Sequence, residues 1–296
     1  MILVAGSANL DFVVRAAHIP APGETVLGRD FKTFPGGKGA NQAVACARAG
    51  GADTALLLAL GDDAAGLAIE QSLREAGVRV QARRIPGQPT GTAFICVSDA
   101  AQNAITVAPG ANAALAPGDL PSLAGVSHLL LQLETPLATV AAFAAAARGA
   151  GVQVVLNAAP AQPLPRELLQ LLDVLIVNEQ ELASVSGIAD DIDRALAALP
   201  VPCVVVTLGE HGCRARCGQQ QVRQAAFDVQ AVDTTAAGDT FCGMLVAALA
   251  GGVTLQSALR QASAAAALAC TRAGSQDSIP TRDQVAAFLQ IRTAAP

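Results

Sequence analysis

Short unbroken apolar runs recur along the first two thirds of the chain: "ILVAG" at 2–6, "TALLLAL" at 54–60, "SHLLLQL" at 127–133, "VQVVLN" at 152–157, "DVLIVN" at 173–178 and "CVVVTLG" at 203–209. None alternates polar with apolar, so each reads as a strand buried on both faces. Helix-like stretches lie between them. The one at 38–49 ends at Gly50-Gly51 and the one at 64–76 ends at Gly77; that at 136–148 opens with proline and stops at Gly149. Proline at the start and glycine past the end are helix boundaries. Three more helices are predicted at about 238–250, 254–270 and 281–291. The alternation predicts an α/β fold, a mostly parallel sheet flanked by helices.

Two regions break this rhythm. Residues 10–35 carry charge and turn residues, including "HIPAPGET". Residues 85–108 read as a hairpin, "GTAFICV", the turn "SDAAQN", then "AITVA". Both predict antiparallel strands added at one edge, either as a lid over a site or as an extension without a role. No internal repeat or long linker appears. The simplest division is one domain over 1–296, with lid strands at about 10–35 and 85–108.

Composition narrows the function classes. The chain has 296 residues, is 52% hydrophobic and carries a net charge of −5. It has no run of Lys or Arg, which argues against a nucleic-acid surface. The longest apolar stretch, 137–147, falls short of the roughly 18 residues of a membrane span. With no basic leader at the N-terminus, a soluble cytoplasmic protein is expected. The seven cysteines are irregularly spaced, which predicts small buried residues in a reduced compartment. Cys213 and Cys217 lack a second pair with which to hold a metal.

The glycine-lysine loop "PGGKGANQ" at 35–42 resembles a phosphate cradle but fails the Walker pattern: the required first glycine is Lys32, and Gly39 stands where Ser or Thr would follow Lys38. What remains is a glycine turn opening a helix, with Lys38 and Asn41 in its first turn, suited to a ligand rich in hydroxyls. Asn9 and Asp11 follow the first strand, where open α/β sheets gather ligands. In "DTTAAGDTF" at 233–241 the helix start offers free N–H groups to an anion, with Asp239 beside them. That pairing reads either as a helix cap or as a general base aimed at a nucleophilic hydroxyl. Asn178 and Glu181 in "NEQE" share a face at a helix start, placed to orient hydrated Mg²⁺, and "TLGEHG" at 207–212 turns through two glycines suited to a nucleotide.

In order along the chain, "GSANLD", "PGETV", "PGGKGANQA", "PGANAAL", "LQLETP", "NEQE", "TLGEHG", "DTTAAGDTF" and "TRAGSQDSIP" resemble the PfkB-type carbohydrate kinases, and within them the ribokinase branch. The resemblance implies a ribokinase-like three-layer α/β sandwich with a small β-sheet lid, and ATP-dependent phosphorylation of D-ribose at O5. Asn9, Asp11, Gly37, Lys38, Gly39, Asn41, Glu134 and Asp239 match positions that hold the sugar. Asp239 matches the catalytic base, and Ala236, Ala237 and Gly238 match the anion hole. Asn178, Thr207, Gly209, Gly212, Gly238 and Ser263 fall at ATP positions, and Asn178 with Glu181 at the pair that arranges Mg²⁺ through water. Asp233, Thr235, Ala269, Arg272, Gly274 and Ser278 match the loops that enclose an activating K⁺. The family pairs two subunits through lid strands, so a homodimer is expected. The chain departs from the family at Ser263, where His or Asn is more frequent, and lacks a His before "GAN". Two alternatives stay open: a related kinase of deoxyribose, fructose or a nucleoside, and a sugar-sensing protein without turnover.

Overall fold

A computed structural model describes residues 1–100 and 102–293. The six apolar runs form β1 (Ile2–Ala5), β4 (Thr54–Gly61), β8 (His128–Leu131), β9 (Gln153–Asn157), β10 (Val174–Asn178) and β11 (Cys203–Thr207). These strands run parallel in a nine-stranded sheet. Its edges are β5 (Arg79–Ile85), parallel to β4, and the antiparallel hairpin β12 (Cys213–Cys217) and β13 (Gln220–Gln224). The order is β13-β12-β11-β10-β9-β8-β1-β4-β5.

Strand side chains divide by parity. Ile2, Val4, Leu56, Leu58, Leu130, Val155, Ile176 and Val205 pack into one core. Leu3, Ala55, Leu57, Leu129, Leu131, Val154, Leu175 and Val204 pack into the other. Because successive side chains point to opposite faces, a strand with helices on both sides must be apolar at every position. One face carries α1 (Lys38–Val44), α2 (Ala64–Glu75), α7 (Ala237–Ala250), α8 (Leu255–Cys270) and α9 (Arg282–Thr293). The other carries α3 (Leu137–Gly149), α4 (Arg166–Leu169), α5 (Glu179–Ser186) and α6 (Ile192–Ala198). Among the described residues, no helix is long and apolar enough to cross a membrane.

The strands expected at one sheet edge instead form a separate sheet. It comprises β2 (Asn9–Ala16), β3 (Asp30–Gly36), β6 (Gly91–Ser98) and β7 (Asn103–Ala108), in the order β3-β2-β6-β7. Its two hairpins are joined by the parallel pair β2 and β6, a contact between distant segments that neither hairpin signals alone. The edges of the main sheet are occupied by β5 and β13, so these strands pair with one another. Ala101, in the expected turn between β6 and β7, lies outside the described residues.

The cysteines also depart from expectation. Cys203 and Cys217 lie opposite one another in the β11–β12 register and form a disulfide. Cys213 is buried with its Sγ 3.9 Å from Ser263 Oγ.

Candidate active site

The polar residues of interest collect at the carboxyl ends of the strands, where open α/β sheets leave a crevice. Asn9 opens β2 just beyond β1; Asn157, Asn178 and Thr207 end β9, β10 and β11. The N-termini of α1, α5 and α7 reach the same rim. α1 continues as a π-helical turn over Ala45–Ala49, and α7 crosses it closely. A Cβ at Gly243 would stand 2.9 Å from Cys46 N, and Cys46 Sγ donates to the Gly243 carbonyl at 3.3 Å. That close crossing brings the first turn of α7 beside Asn41 and Gln42. Asn41 Nδ2 donates to Asp239 Oδ2 at 3.0 Å, and Gln42 Nε2 donates to Asp239 Oδ1 at 2.9 Å.

The loop entering α1 is fixed by backbone approach. Gly37 has φ +89°, and a Cβ there would meet Ala8 Cα and Asn9 N at 2.7 Å. At Gly39 it would meet Ser7 N at 2.6 Å. At Gly37 only glycine tolerates both the left-handed backbone and the approach. Glu134 bridges the same loop: its Oε2 accepts from Ser7 Oγ at 2.6 Å and from Lys38 N at 3.1 Å. Asn112 fixes Asn9 by donating to its Oδ1 at 2.8 Å. Asn41 Oδ1 is buried with no hydrogen-bond partner among the described residues. A buried acceptor without a donor is costly in the free protein and is what a ligand hydroxyl would satisfy.

Charge in the crevice is unbalanced. Burial pushes the Asp11 carboxyl up to about 7; the charges of Glu134 and Asp239 add to this, while the Ser275 hydroxyl, 3.4 Å away, opposes it. Burial alone would lower the Lys38 ammonium, but Asp239, Glu134 and Glu181 outweigh it and hold it above the ordinary lysine range. Three carboxyl groups thus act on one ammonium, a field that favours cations.

Asp239 is buried in the first turn of α7. Ala236, the N-cap, adopts φ 58°, making it the one non-glycine residue with positive φ among the described residues. Ala237 N donates to the Thr234 carbonyl at 3.2 Å, and Thr240 N to that of Ala236 at 2.8 Å. The amides of Ala236, Gly238 and Asp239 have no acceptor among the described residues. Of the three amides at 236–238, those of Ala236 and Gly238 are therefore free, and Asp239 N is free beside them.

The chain belongs to the pfkB family of carbohydrate kinases, whose model matches residues 1–282. It is similar to a ribokinase from Haemophilus influenzae, 39% identical over 98% of both chains. Among solved structures it is similar to a ribokinase from Thermotoga maritima, with a TM-score of 0.89, 37% identity, and 98% of this chain and 99% of that one covered. It is also similar to an Arabidopsis thaliana ribokinase complexed with ribose and ATP, with a TM-score of 0.89, 34% identity and 98% coverage of each.

Further along this pfkB rim, Asn178 and Glu181 form a capping box for α5. Asn178 Oδ1 accepts from Glu181 N at 2.8 Å, and both Glu181 oxygens accept from Asn178, at 2.8 and 2.9 Å. Burial raises the Glu181 carboxyl, against the Asn178 bond and the Lys38 charge. Thr207, Gly209 and Gly212 line the turn between β11 and β12, with φ +56° at Gly209 and +87° at Gly212. Ser263, on α8, is buried beside that turn next to Cys213. The loops at 233–235 and 269–278 are tied together: Asp233 Oδ1 accepts from Thr235 N at 2.9 Å and Oδ2 from Gly274 N at 3.0 Å. The Ala269 carbonyl accepts from Arg272 N at 3.2 Å, and the Ser278 hydroxyl donates to the Ser275 carbonyl at 2.8 Å. The carbonyls of Asp233, Thr235, Arg272 and Gly274 accept no hydrogen bond among the described residues.

Sequence reasoning gave no role to Ser7, Gln42, Asn112, Gln132, Asn157 or Ser275. A signal existed for some of them. Gln132 interrupts the apolar "LLLQL" and Asn157 closes "VVLN", polar residues where the pattern demands core.

Proposed function

We propose that this chain phosphorylates D-ribose at O5 with ATP, giving D-ribose 5-phosphate and ADP. One observation carries the reading: a buried carboxylate, Asp239, shares the first turn of α7 with free amides and meets Asn41 of the glycine-lysine loop. Base, anion site and sugar loop thus converge on one point. The similarity to ribokinases supports ribose among carbohydrate substrates.

Asn9, Asp11, Gly37, Lys38, Gly39, Asn41 and Glu134 hold the sugar hydroxyls. Asp239 takes the O5 proton as the phosphoryl group transfers, and the free amides at 236–239 stabilise charge on it. The nucleotide lies along Thr207, Gly209, Gly212 and Ser263. The crevice suits a divalent ion carried in with ATP, because its carboxylates would otherwise repel the phosphates. Asn178 and Glu181 would hold Mg²⁺ through water; when bound, it neutralises phosphate charge. The unpaired carbonyls of Asp233, Thr235, Arg272 and Gly274, with Ala269 and Ser278, suit K⁺, which would fix the shape of the anion loop when bound.

The small sheet serves as a lid that excludes water from the reacting phosphoryl group. The face opposite Asp11 stacks Phe12 on Phe31 and Phe94, with Phe31 and Phe94 exposed. An apolar face of this kind is a docking surface. We propose that it pairs two copies as a homodimer, in the cytoplasm where ATP is supplied.

A coupled ADP-release assay across ribose, deoxyribose, fructose and nucleosides tests the function. Ribose should give the highest kcat/KM. A preference for any other acceptor would overturn the choice of sugar, and binding of ribose and MgATP without product would favour the sensor.

A further inference from the structure

Asp239 is braced from the side away from Asn41 by a chain of buried amides. The Gln42 nitrogen that donates to Asp239 Oδ1 at 2.9 Å gives its second hydrogen to Asn157 Oδ1, also at 2.9 Å. Gln42 Oε1 accepts from Gln132 Nε2 at 2.7 Å. Asn157 Nδ2 then donates to the Ile176 carbonyl at 3.2 Å, anchoring the chain on β10. Gln42, Gln132 and Asn157 are all buried.

Both ends of the Gln42 amide are therefore specified. Turned over, its oxygen would face Asn157 Oδ1 and Asp239 Oδ1, and its nitrogen would face the Gln132 donor. Each of those three contacts would be repulsive, so the amide has one orientation. The result is a division of labour between the two carboxylate oxygens of Asp239. Oδ1 is pinned by Gln42, and Oδ2 lies on the Asn41 side, where the unpartnered Asn41 Oδ1 also sits.

We infer that Gln42 is the positioning residue for Asp239, and that Gln132 sets Gln42. The pair fixes the carboxylate plane so that Oδ2 meets the acceptor hydroxyl. This rests on the reading of Asp239 as the base. Gln42 touches no reacting atom; its effect is on geometry, and a displacement of about 1 Å at such a group lowers the rate about a hundredfold.

Gln42→Met retains the length of the side chain and deletes the amide. In the full-length protein, kcat for ribose should fall about 10- to 100-fold. The KM values for ribose and ATP, and the calorimetric ribose affinity, should stay within about threefold, because the sugar-holding groups remain. Gln132→Met leaves Asp239 untouched and removes only the donor that orients Gln42. Its kcat should fall about 3- to 10-fold, again with KM retained. Parental kcat in folded Gln42→Met would overturn the inference, as would a loss residing wholly in KM. If Gln42→Met fails to fold, Gln132→Met decides, and parental kcat there is the overturning result. A parent protein that releases no ADP with ribose would instead remove the base reading beneath the inference. That failure is distinct from a Gln42 variant running at the parental rate.

Discussion

Replacing Asp11 with Asn removes a carboxyl that folding holds in the wrong state for solvent. Burial, with Glu134 and Asp239 nearby, raises it from 3.8 to about 7. The folded value lies above the unfolded one, so the stability linked to this group is fully present below 3.8 and is lost as pH rises through about 7. The shift is about three pKa units at 1.36 kcal/mol each, or about 4 kcal/mol in full. By pH 5 about 1.5 kcal/mol of it is already lost, and by pH 8 nearly all. Relative to the parent, Asp11→Asn should therefore gain about 2.5 kcal/mol of stability between pH 5 and pH 8. At about 2 °C per kcal/mol for a chain of this size, the Tm gap should widen by about 5 °C. Urea unfolding of both unliganded proteins at pH 5, 6, 7 and 8 measures it. Titrating groups that do not interact with Asp11 are common to both proteins and cancel in the difference. A gap constant to within about 0.5 kcal/mol, the scatter expected of distant additive effects, would refute the burial argument. The same logic makes ribose binding below pH 7 release a proton, because sugar hydroxyls favour the ionised carboxylate. Calorimetry in two buffers of different ionisation enthalpy should show it in the parent and not in Asp11→Asn.

Three further outcomes follow from the geometry. Gly39→Ala places a Cβ 2.6–2.7 Å from backbone atoms of Gly6 and Ser7, so α1 must move off β1; a Tm loss on the order of 5 °C and about tenfold weaker ribose binding are expected by fluorimetry and calorimetry. Asn178→Ala removes the α5 cap at a cost of about 1 kcal/mol and releases Glu181, and half-maximal activity should move to higher Mg²⁺ in a titration at fixed ATP. Replacing K⁺ by Na⁺ or Tris should slow turnover markedly, and equal rates would remove the monovalent ion from the account.

Much of the fold was legible because a strand buried on both faces has to be apolar throughout, and the six runs that became β1, β4 and β8–β11 obey that demand. β5, β12 and β13 were not anticipated. β5 and β13 are the edge strands and β12 lies beside β13; there "RVQARRI", "CRARC" and "QQVRQ" take charged or amide residues. The parallel pairing of β2 with β6 joins segments some eighty residues apart, and no local pattern encodes it. The candidate site residues were legible where a motif sets chemistry-bearing side chains at a helix start, as at Gly37-Lys38 and Gly238-Asp239. It was opaque where a residue acts only through burial. Gln42, Gln132 and Asn157 resemble ordinary polar interruptions until the structure shows their amides in one chain. The disulfide between Cys203 and Cys217 escaped for a related reason: strand register, not spacing, sets them opposite each other.

The account turns on the carboxylate of Asp239, and steady-state ADP release by Asp239→Asn with saturating ribose and MgATP tests it most directly. kcat should drop about 10²- to 10⁴-fold while ribose still binds with affinity close to the parent's. Turnover at the parental rate in the purified, folded variant would contradict it.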